Sequence, residues 1–367
     1  MTRTRVMLLF GGRSAEHDIS CISAVAVAAA LDPERYDVIP VGIALDGRWV
    51  YASAARAAIE AGPDALPPAF VVEGEPVAEL ADPLRPELVP LDRSSALEPI
   101  VVDVVIPLLH GPYGEDGTVQ GMLEMAGVPY VGSGVLGSAV GMDKVMMKRA
   151  FLACGLPTAR FVALREWDVD PAALDAAVEQ LGLPLFVKPV NMGSSVGVSK
   201  AEDPTSLEAA VANALQYDEY VIVEEAIDGR EIEVAVLGDN PAEASIPGEI
   251  VPGDEFYSYD DKYVTNGAEL RVPAPIDAAA VDAVQQLAID AFHACRCDAM
   301  ARVDCFYTPD GRWLLNEINT IPGFTPISMY PRLWQASGLS YPQLLDRLIA
   351  LAFERHERRA KRAGRTR

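Results

Sequence analysis

The chain has few positive charges for its length. Its 367 residues include 30 lysines and arginines against 53 aspartates and glutamates, a formal net charge of −23. Nucleic acids and anionic membranes attract proteins with a surplus of positive charge. We therefore expect neither as a partner, and any phosphate that the protein binds must lie in a locally basic cleft. The one basic run, over 355–367, is interpreted as a solvated C-terminus, with a tail for an anionic partner as the alternative.

Cysteine and long apolar runs are also scarce. The five cysteines are odd in number and form no C-x-x-C pair, which argues against a disulfide framework and against a zinc site. The apolar run at 6–10 is too short for a signal sequence, and no stretch approaches the roughly 18 apolar residues of a membrane span. We expect a soluble, cytoplasmic protein.

The hydrophobic pattern predicts an N-terminal open α/β domain with a parallel sheet. Buried strands are predicted at 6–10, 38–43 and 101–109, with a helix over 14–31. Strands that alternate with helices typically form parallel sheets. The stretch 61–99, rich in proline, alanine and acidic residues, interrupts this alternation, and we assign no chemistry to it.

Two α+β units are predicted after it. In the middle of the chain the strand spacing favours antiparallel pairing, and in the last third a long helix at 277–295 precedes two strands at 299–307 and 312–318. The predicted domains are 1–140, 141–245 and 246–367, the last with a mobile loop at 253–267. The predicted middle strands are 160–163, 185–188, 195–199, 220–224 and 230–238, with helices near 170–181 and 204–215.

A phosphate-binding turn is predicted at 188–197. There is no G-x-x-x-x-G-K-[ST] loop, but Lys188 ends a buried strand and a turn of small residues follows it. Glycines allow backbone N–H groups to approach phosphate oxygens, and a lysine adds positive charge. The alternative is a plain β-hairpin with an exposed lysine.

Oxygen ligands for a hard cation are predicted near the end of the chain. In the strand 312–318 and the residue that follows it, Glu317 and Asn319 are two residues apart and project from one face, and the partner strand can place Asp304 beside them. Two carboxylates and an amide oxygen suit Mg²⁺ bound to a nucleotide triphosphate.

Seven motifs occur in order along nearly the whole chain. They are Gly11–Ser20, His110–Gly117, Met142–Lys144, Lys188–Gly197, Tyr257–Tyr263, Arg302–Asp304 and Asn316–Gly323. Together they resemble the D-alanine–D-alanine ligases of the ATP-grasp superfamily. The resemblance implies an N-terminal parallel-sheet domain with two α+β domains that clasp ATP. It also implies ATP-dependent joining of two D-alanines through a D-alanyl phosphate, for peptidoglycan precursors, by a homodimer.

The resemblance assigns residues to ATP and to metal. Lys144 and Lys188 match the lysines that contact phosphate, and the loop with Gly193 and Ser195 folds over the triphosphate. Glu224, Glu225 and Ile227 match the segment that binds adenine. Glu231 matches the ribose-binding acid, although by itself it would be interpreted as a solvated strand carboxylate. Two magnesium ions, with manganese as the alternative, are implied at Asp304, Glu317 and Asn319.

The resemblance also assigns the amino-acid sites. Glu16 matches the carboxylate that holds the first ammonium group, with His110 near the same substrate. Arg302 and the backbone N–H of Gly323 match the oxyanion hole, because the tetrahedral intermediate needs donors aimed at its developing charge. Ser328 and Lys262 are implied for the second carboxylate, with Met329 beside them. Ser194, Tyr263 and Glu16 match a hydrogen-bonded set that ties the loop to the N-terminal domain.

Two alternatives remain open on the sequence. One is a ligase of the same type that uses D-lactate or D-serine as its second substrate, against which Tyr263 argues. The other is a non-catalytic nucleotide-binding regulator. The predicted metal ligands, the two phosphate lysines and Arg302 argue against that role, because a regulator has no need of an oxyanion donor.

Overall fold

The structure is a computed structural model that describes residues 2–79, 82–252, 269–325 and 327–362. Within those residues the strands form three sheets, and the mixed α/β and α+β class predicted from the sequence is confirmed. In the same part of the chain, no helix combines the length and apolar character needed to cross a membrane.

The first sheet has a parallel centre and an antiparallel extension. β1 pairs in parallel with β2 and β7, as predicted, whereas β3 to β6 add antiparallel neighbours in the order β6-β5-β4-β3-β2-β1-β7. Among the described residues, α2 is the only α-helix in the connections between these added strands, and antiparallel neighbours need no crossover helix. The stretch 61–99 therefore supplies two strands of this sheet. The strands are β1 (Thr4–Gly11), β2 (Tyr36–Ile43), β3 (Trp49–Tyr51), β4 (Glu75–Glu79), β5 (Glu87–Pro90), β6 (Ile100–Val101) and β7 (Val104–Pro107), with helices α1 (His17–Ala30), α2 (Ser53–Ala61), α3 (Thr118–Ala126) and α4 (Val135–Met142).

The second sheet is antiparallel throughout, as predicted, in the order β10-β9-β11-β8. The helix that leads to it, α5 (Lys144–Ala153), begins where the side chain of Asp143 accepts hydrogen bonds from the N–H groups of Val145 and Met146. The strand predicted at 195–199 is wrong, because the chain is still turning there and pairs only from Ser199 onward. The elements are β8 (Phe161–Arg165), α6 (Pro171–Leu181), β9 (Leu185–Pro189), β10 (Ser199–Ala201), α7 (Pro204–Ala214) and β11 (Tyr220–Glu225).

The third sheet carries the predicted C-terminal hairpin. Its order is β15-β14-β12-β16-β17, with β13 paired to β12. The strand at 230–238, expected in the middle unit, hydrogen-bonds to β16 and so belongs to this sheet. The predicted domain boundaries stay predictions. The elements are β12 (Arg230–Gly238), β13 (Ala242–Ala244), β14 (Gly248–Val251), β15 (Glu269–Arg271), α8 (Ala278–Ala294), β16 (Met300–Tyr307), β17 (Trp313–Asn319), α9 (Met329–Ala336) and α10 (Tyr341–Ala360).

One hydrophobic core joins the two ends of the chain. Phe10 of β1, Tyr330 of α9 and Leu348 of α10 are fully or almost fully buried in the same cluster. Burial of such large side chains is the main stabilising contribution to packing. The carboxyl ends of the N-terminal strands are thereby held against the segment that follows β17, where the candidate site lies.

Candidate active site

A cleft of about 940 Å³ lies between the three sheets. All the predicted site residues that fall within the described part of the chain line it. Lys262 and Tyr263 are outside the described residues. The residues brought together are Glu16, His110, Lys144, Lys188, Gly193, Ser194, Ser195, Glu224, Glu225, Ile227, Glu231, Arg302, Asp304, Glu317, Asn319, Gly323, Ser328 and Met329.

The turn after β9 has the backbone shape of an anion-binding loop. Ser194 and Ser195 have φ angles of 50° and 57°, in the left-handed region that non-glycine residues rarely adopt. Consecutive residues in a turn conformation can point their backbone N–H groups into one concavity, where an anion binds. The ammonium group of Lys144 donates to the carbonyl oxygen of Met192 at 2.6 Å, which holds one end of the turn.

Beside this turn, two lysines share one buried carboxylate. Glu224 places Oε2 2.7 Å from Nζ of Lys188 and Oε1 2.8 Å from Nζ of Lys148. Lys188 on β9 pairs with Ile222 on the antiparallel strand β11, so Glu224, two residues further along β11, lies diagonally opposite on the same face. Burial raises the pKa of Glu224, but the two lysines outweigh burial and lower that pKa to about 2. Glu224 is therefore an anion at neutral pH.

The adenine-side segment continues from Glu224 with different roles for its side chains. The carboxylate of Glu225 accepts hydrogen bonds from Arg160, at 2.8 Å from the backbone N–H and 2.7 Å from Nε. Its side chain is therefore held by the protein itself. Glu231 lies on β12, opposite Ile250 on one side and Phe306 on the other.

The three predicted metal ligands meet on one hairpin. Asp304 on β16 pairs in register with Glu317 on β17, and Asn319 donates from Nδ2 to Oδ2 of Asp304 at 3.0 Å. A break in register directly after Asp304 accompanies this pairing. Two facing carboxylates and an amide form an oxygen-rich set that suits a hard divalent cation.

Arg302 lies within the same set of acids. Its Nε and Nη2 each donate to Asp304 at 2.8 Å, and Nε lies 3.1 Å from Oε2 of Glu233. Burial lowers the pKa of Arg302, but Asp304 and Glu233 outweigh it and raise that pKa well above its ordinary value. The guanidinium is thus a fixed cation at the centre of the cleft.

The N-terminal domain contributes Glu16 and His110. His110 is buried and its Nδ1 donates to the carbonyl oxygen of Ile321 at 3.0 Å. Its Nε2 is buried with no hydrogen-bond partner among the described residues. Glu16 lies close to the turn after β9: a Cβ added to Gly193 would stand 3.2 Å from Oε2 of Glu16.

The opposite wall is formed by the segment between β17 and α9. The backbone N–H of Thr325 donates to Oγ of Ser328 at 3.0 Å, and the two hydroxyls are 2.7 Å apart. An added Cβ on Gly323 would stand only 2.7 Å from Oγ of Ser328, so glycine is required for this close approach. Met329 is buried at the start of α9.

Three functional candidates were missed from the sequence. Glu115 lies inside the quoted His110–Gly117 motif, Lys148 follows Lys144 by one helical turn, and Glu233 shares a strand face with Glu231. The sequence signal for Lys148 was its place on the same helix face as Lys144, and the signal for Glu233 was its place on the same strand face as Glu231. Their partners come from distant segments, so spacing alone could not reveal the pairs.

A nucleotide-sized cleft between sheets, with paired lysines on one wall and carboxylates on the other, defines an ATP-grasp ligase. Family models agree with this class: the D-Ala-D-Ala ligase N-terminus matches residues 5–133 and the D-Ala-D-Ala ligase C-terminus matches residues 150–350. The chain belongs to the D-alanine–D-alanine ligase family.

Individual relatives cover almost the whole chain. The D-alanine–D-alanine ligase of Geobacillus kaustophilus is 45% identical, over 97% of this chain and 96% of the relative. The solved D-alanine–D-alanine ligase of Coxiella burnetii is similar with a TM-score of 0.84 and 36% identity, over 98% of this chain and 97% of the other. The solved VanG D-Ala:D-Ser ligase of Enterococcus faecalis has the same TM-score and the same identity, over 96% of this chain and 100% of the other.

Proposed function

We propose that this enzyme joins two D-alanines with ATP, through a D-alanyl phosphate. The observation that carries the proposal is the convergence on one cleft of all the described residues that the family resemblance assigns to ATP, metal and amino acid. A carboxylate is a poor electrophile, and phosphorylation gives it a leaving group. The second amino group then attacks the activated carbonyl carbon and phosphate departs.

At the nucleotide end, Lys144 and Lys188 bind the phosphates, and the turn with Gly193, Ser194 and Ser195 covers them. The left-handed backbone of that turn supports this role. Glu224, the backbone of Glu225 and Ile227 hold the adenine, and Glu231 holds the ribose.

At the metal end, the oxygen-rich set fits a divalent cation. Asp304, Glu317 and Asn319 would hold two Mg²⁺ ions, with Mn²⁺ as a substitute. When bound, such ions neutralise charge on a transferring phosphoryl group. Asp304 is the residue that also fixes Arg302, so the metal ligands and the central cation share one hydrogen-bonded unit.

At the amino-acid end, Glu16 binds the first ammonium group with His110 beside it. Arg302 and the backbone N–H of Gly323 stabilise the oxyanion of the tetrahedral intermediate, and Asp304 holds Arg302 in place before the reaction begins. Ser328, with Lys262 and Met329, receives the second D-alanine. Tyr263 completes the set with Ser194 and Glu16.

The wider setting of this reaction is peptidoglycan precursor synthesis in the cytoplasm by a homodimer, without nucleic-acid or membrane partners. The high net negative charge of the chain supports the last part, because it disfavours polyanionic partners.

The test is an ADP-release assay of the purified protein with and without D-alanine, followed by mass detection of the dipeptide. Parallel reactions contain D-alanine together with D-serine or D-lactate. We expect D-alanine-dependent ADP release and D-alanyl-D-alanine as the main product. A main product that contains D-serine or D-lactate would replace the proposed second substrate, and ATP turnover that ignores D-alanine would contradict the proposed reaction.

A further inference from the structure

Lys148 is a buried cation that lies behind the wall of the cleft. It projects from α5, and its side chain is only 1% exposed. A buried ammonium group is costly unless a partner compensates for its lost hydration. Its Nζ lies 2.8 Å from Oε1 of Glu224 and donates to Oγ1 of Thr158 at 2.9 Å.

The rest of this contact network fixes Lys148 in position. The hydroxyl of Thr158 donates in turn to the carbonyl oxygen of Leu315 on β17 at 2.8 Å. Glu224 lies on β11 and uses its second oxygen for Lys188 on β9. One side chain of α5 is therefore tied to both sheets that line the nucleotide end of the cleft.

The charges of this buried cluster do not cancel. The three side chains in direct contact, Lys148, Lys188 and Glu224, carry two positive charges and one negative charge, a net charge of +1. Burial lowers the pKa of Lys148, and Glu317 as well as Glu224 favours the charged form of both lysines. Of the three side chains, Lys188 is the most exposed, at 16% against 1% for Lys148 and 5% for Glu224. The surplus charge is thus presented to the cleft by Lys188.

We propose that Lys148 is a positioning residue for ATP: by sharing Glu224, it keeps the charge of Lys188 available to the triphosphate. Without Lys148, the carboxylate of Glu224 faces Lys188 alone and the cluster becomes neutral. Because the interior has a low effective dielectric constant, the loss of one charge there is weakly screened. The inference rests on the proposed role of Lys188 in phosphate binding.

The experiment compares five variants with the full-length enzyme. Lys148→Met makes the cluster neutral. Glu224→Gln is made alone and together with Lys148→Met, so that loss of the adenine contact proposed for Glu224 is common to both and cancels in the comparison. Lys188→Met tests the phosphate role itself. Arg149→Met, at the neighbouring exposed position of the same helix, is the matched control. The measurements are the Kd of Mg·AMP-PNP by calorimetry and the KM values for ATP and D-alanine.

We expect Lys148→Met to weaken Mg·AMP-PNP binding and to raise the KM for ATP by about tenfold or more. The KM for D-alanine should stay within about twofold, and Arg149→Met should change neither. In the Glu224→Gln background, loss of Lys148 should weaken Mg·AMP-PNP binding much less, because Lys188 then faces no carboxylate at position 224 with or without Lys148. If Lys148→Met does not fold, Lys148→Gln, which keeps hydrogen-bond donors near Thr158, gives the same comparison.

Two outcomes would overturn the inference alone: removal of Lys148 weakens Mg·AMP-PNP binding equally with and without Glu224→Gln, or the KM values for ATP and D-alanine increase equally. Either result would reduce Lys148 to a structural residue, provided that Lys188→Met weakens nucleotide binding. Unchanged nucleotide binding in Lys188→Met would instead overturn the proposed phosphate site, and this inference with it.

Discussion

Glu115 accepts a hydrogen bond at 3.0 Å from the backbone N–H of Ile321, which lies 206 residues later in the chain. Its other carboxylate oxygen accepts from the backbone N–H of Gly111 at 2.9 Å. One buried side chain therefore joins the turn after His110 to the segment that leads to Gly323. Burial raises the pKa of Glu115, although His110 and the two N–H donors act in the opposite direction.

Glu115→Gln should loosen this link. A glutamine keeps one acceptor oxygen but turns an NH₂ group toward one of the two N–H donors, so at least one hydrogen bond is lost. A buried donor without a partner costs about 1–3 kcal/mol. We expect a lower free energy of unfolding in urea and a KM increase that is larger for D-alanine than for ATP.

Asp116→Asn is the control for Glu115→Gln, because Asp116 accepts hydrogen bonds only from N–H groups of its own turn among those described. An equal effect of the two substitutions on the KM for D-alanine would show that the turn, and not its link to Ile321, is what matters.

Glu317→Gln and Asp304→Asn should both lower kcat by about 100-fold or more, because each removes a charged ligand from the proposed metal set. Their responses should differ. Asp304 also holds Arg302 through two hydrogen bonds, so added Mg²⁺ should restore less activity to Asp304→Asn than to Glu317→Gln.

The measurement is initial rate against Mg²⁺ concentration, with Asp310→Asn in the exposed turn between β16 and β17 as the control. Near-normal kcat in Glu317→Gln at every Mg²⁺ concentration would contradict the assignment of Glu317 as a metal ligand.

Gly323→Ala should impair the pocket proposed for the second substrate. The new Cβ would stand 2.7 Å from Oγ of Ser328, which is too close for any normal contact, so Ser328 must move. We expect a higher KM for the second D-alanine and a lower kcat, with little change in the KM for ATP.

Gly121→Ala provides the comparison for this glycine. It lies within α3, where an added Cβ meets no atom within 4 Å, so it should raise the free energy of unfolding by about 0.5–1 kcal/mol and leave kinetics unchanged. A Gly323→Ala enzyme with normal kinetics would mean that Ser328 does not contact the second substrate.

Glu79→Gln should stabilise the protein above neutral pH. Both carboxylate oxygens of Glu79 are buried without a hydrogen-bond partner among the described residues, and burial raises its pKa to about 7. The unfolded carboxyl group ionises near its ordinary pKa, about 4.5. Between these values the folded state binds more protons, so the stability of the unmodified protein falls as pH rises from about 4.5 to about 7.

A glutamine at position 79 does not ionise in this pH range. The difference in free energy of unfolding between Glu79→Gln and the unmodified protein should therefore grow in favour of the variant across that range, to roughly 1–3 kcal/mol at pH 8. The measurement is thermal unfolding at pH 5 and pH 8, with Glu73→Gln, an exposed position before the same strand, as the control. A difference that does not change with pH would show that Glu79 is hydrated in the folded protein.

Much of the local structure could be predicted because short-range patterns govern it. The helix predicted over 277–295 is found at Ala278–Ala294, and the predicted hairpin strands are found at Met300–Tyr307 and Trp313–Asn319. The strand predicted at 195–199 is wrong because Ser194 and Ser195, at its start, adopt a left-handed backbone that their residue types do not favour. Such strain is sustained by the surrounding fold, so propensity could not reveal it.

Most strands and helices, the family resemblance and the hairpin pairing of Asp304 with Glu317 follow from the sequence, since periodicity and motif spacing are properties of neighbouring positions. The contacts between distant segments needed the three-dimensional structure. Glu115 meets Ile321, and Lys148 shares Glu224 with Lys188, because packing of three sheets places distant segments within hydrogen-bond distance. The strength of such pairs depends on burial and on distances of a few ångströms, which no spacing along the chain specifies.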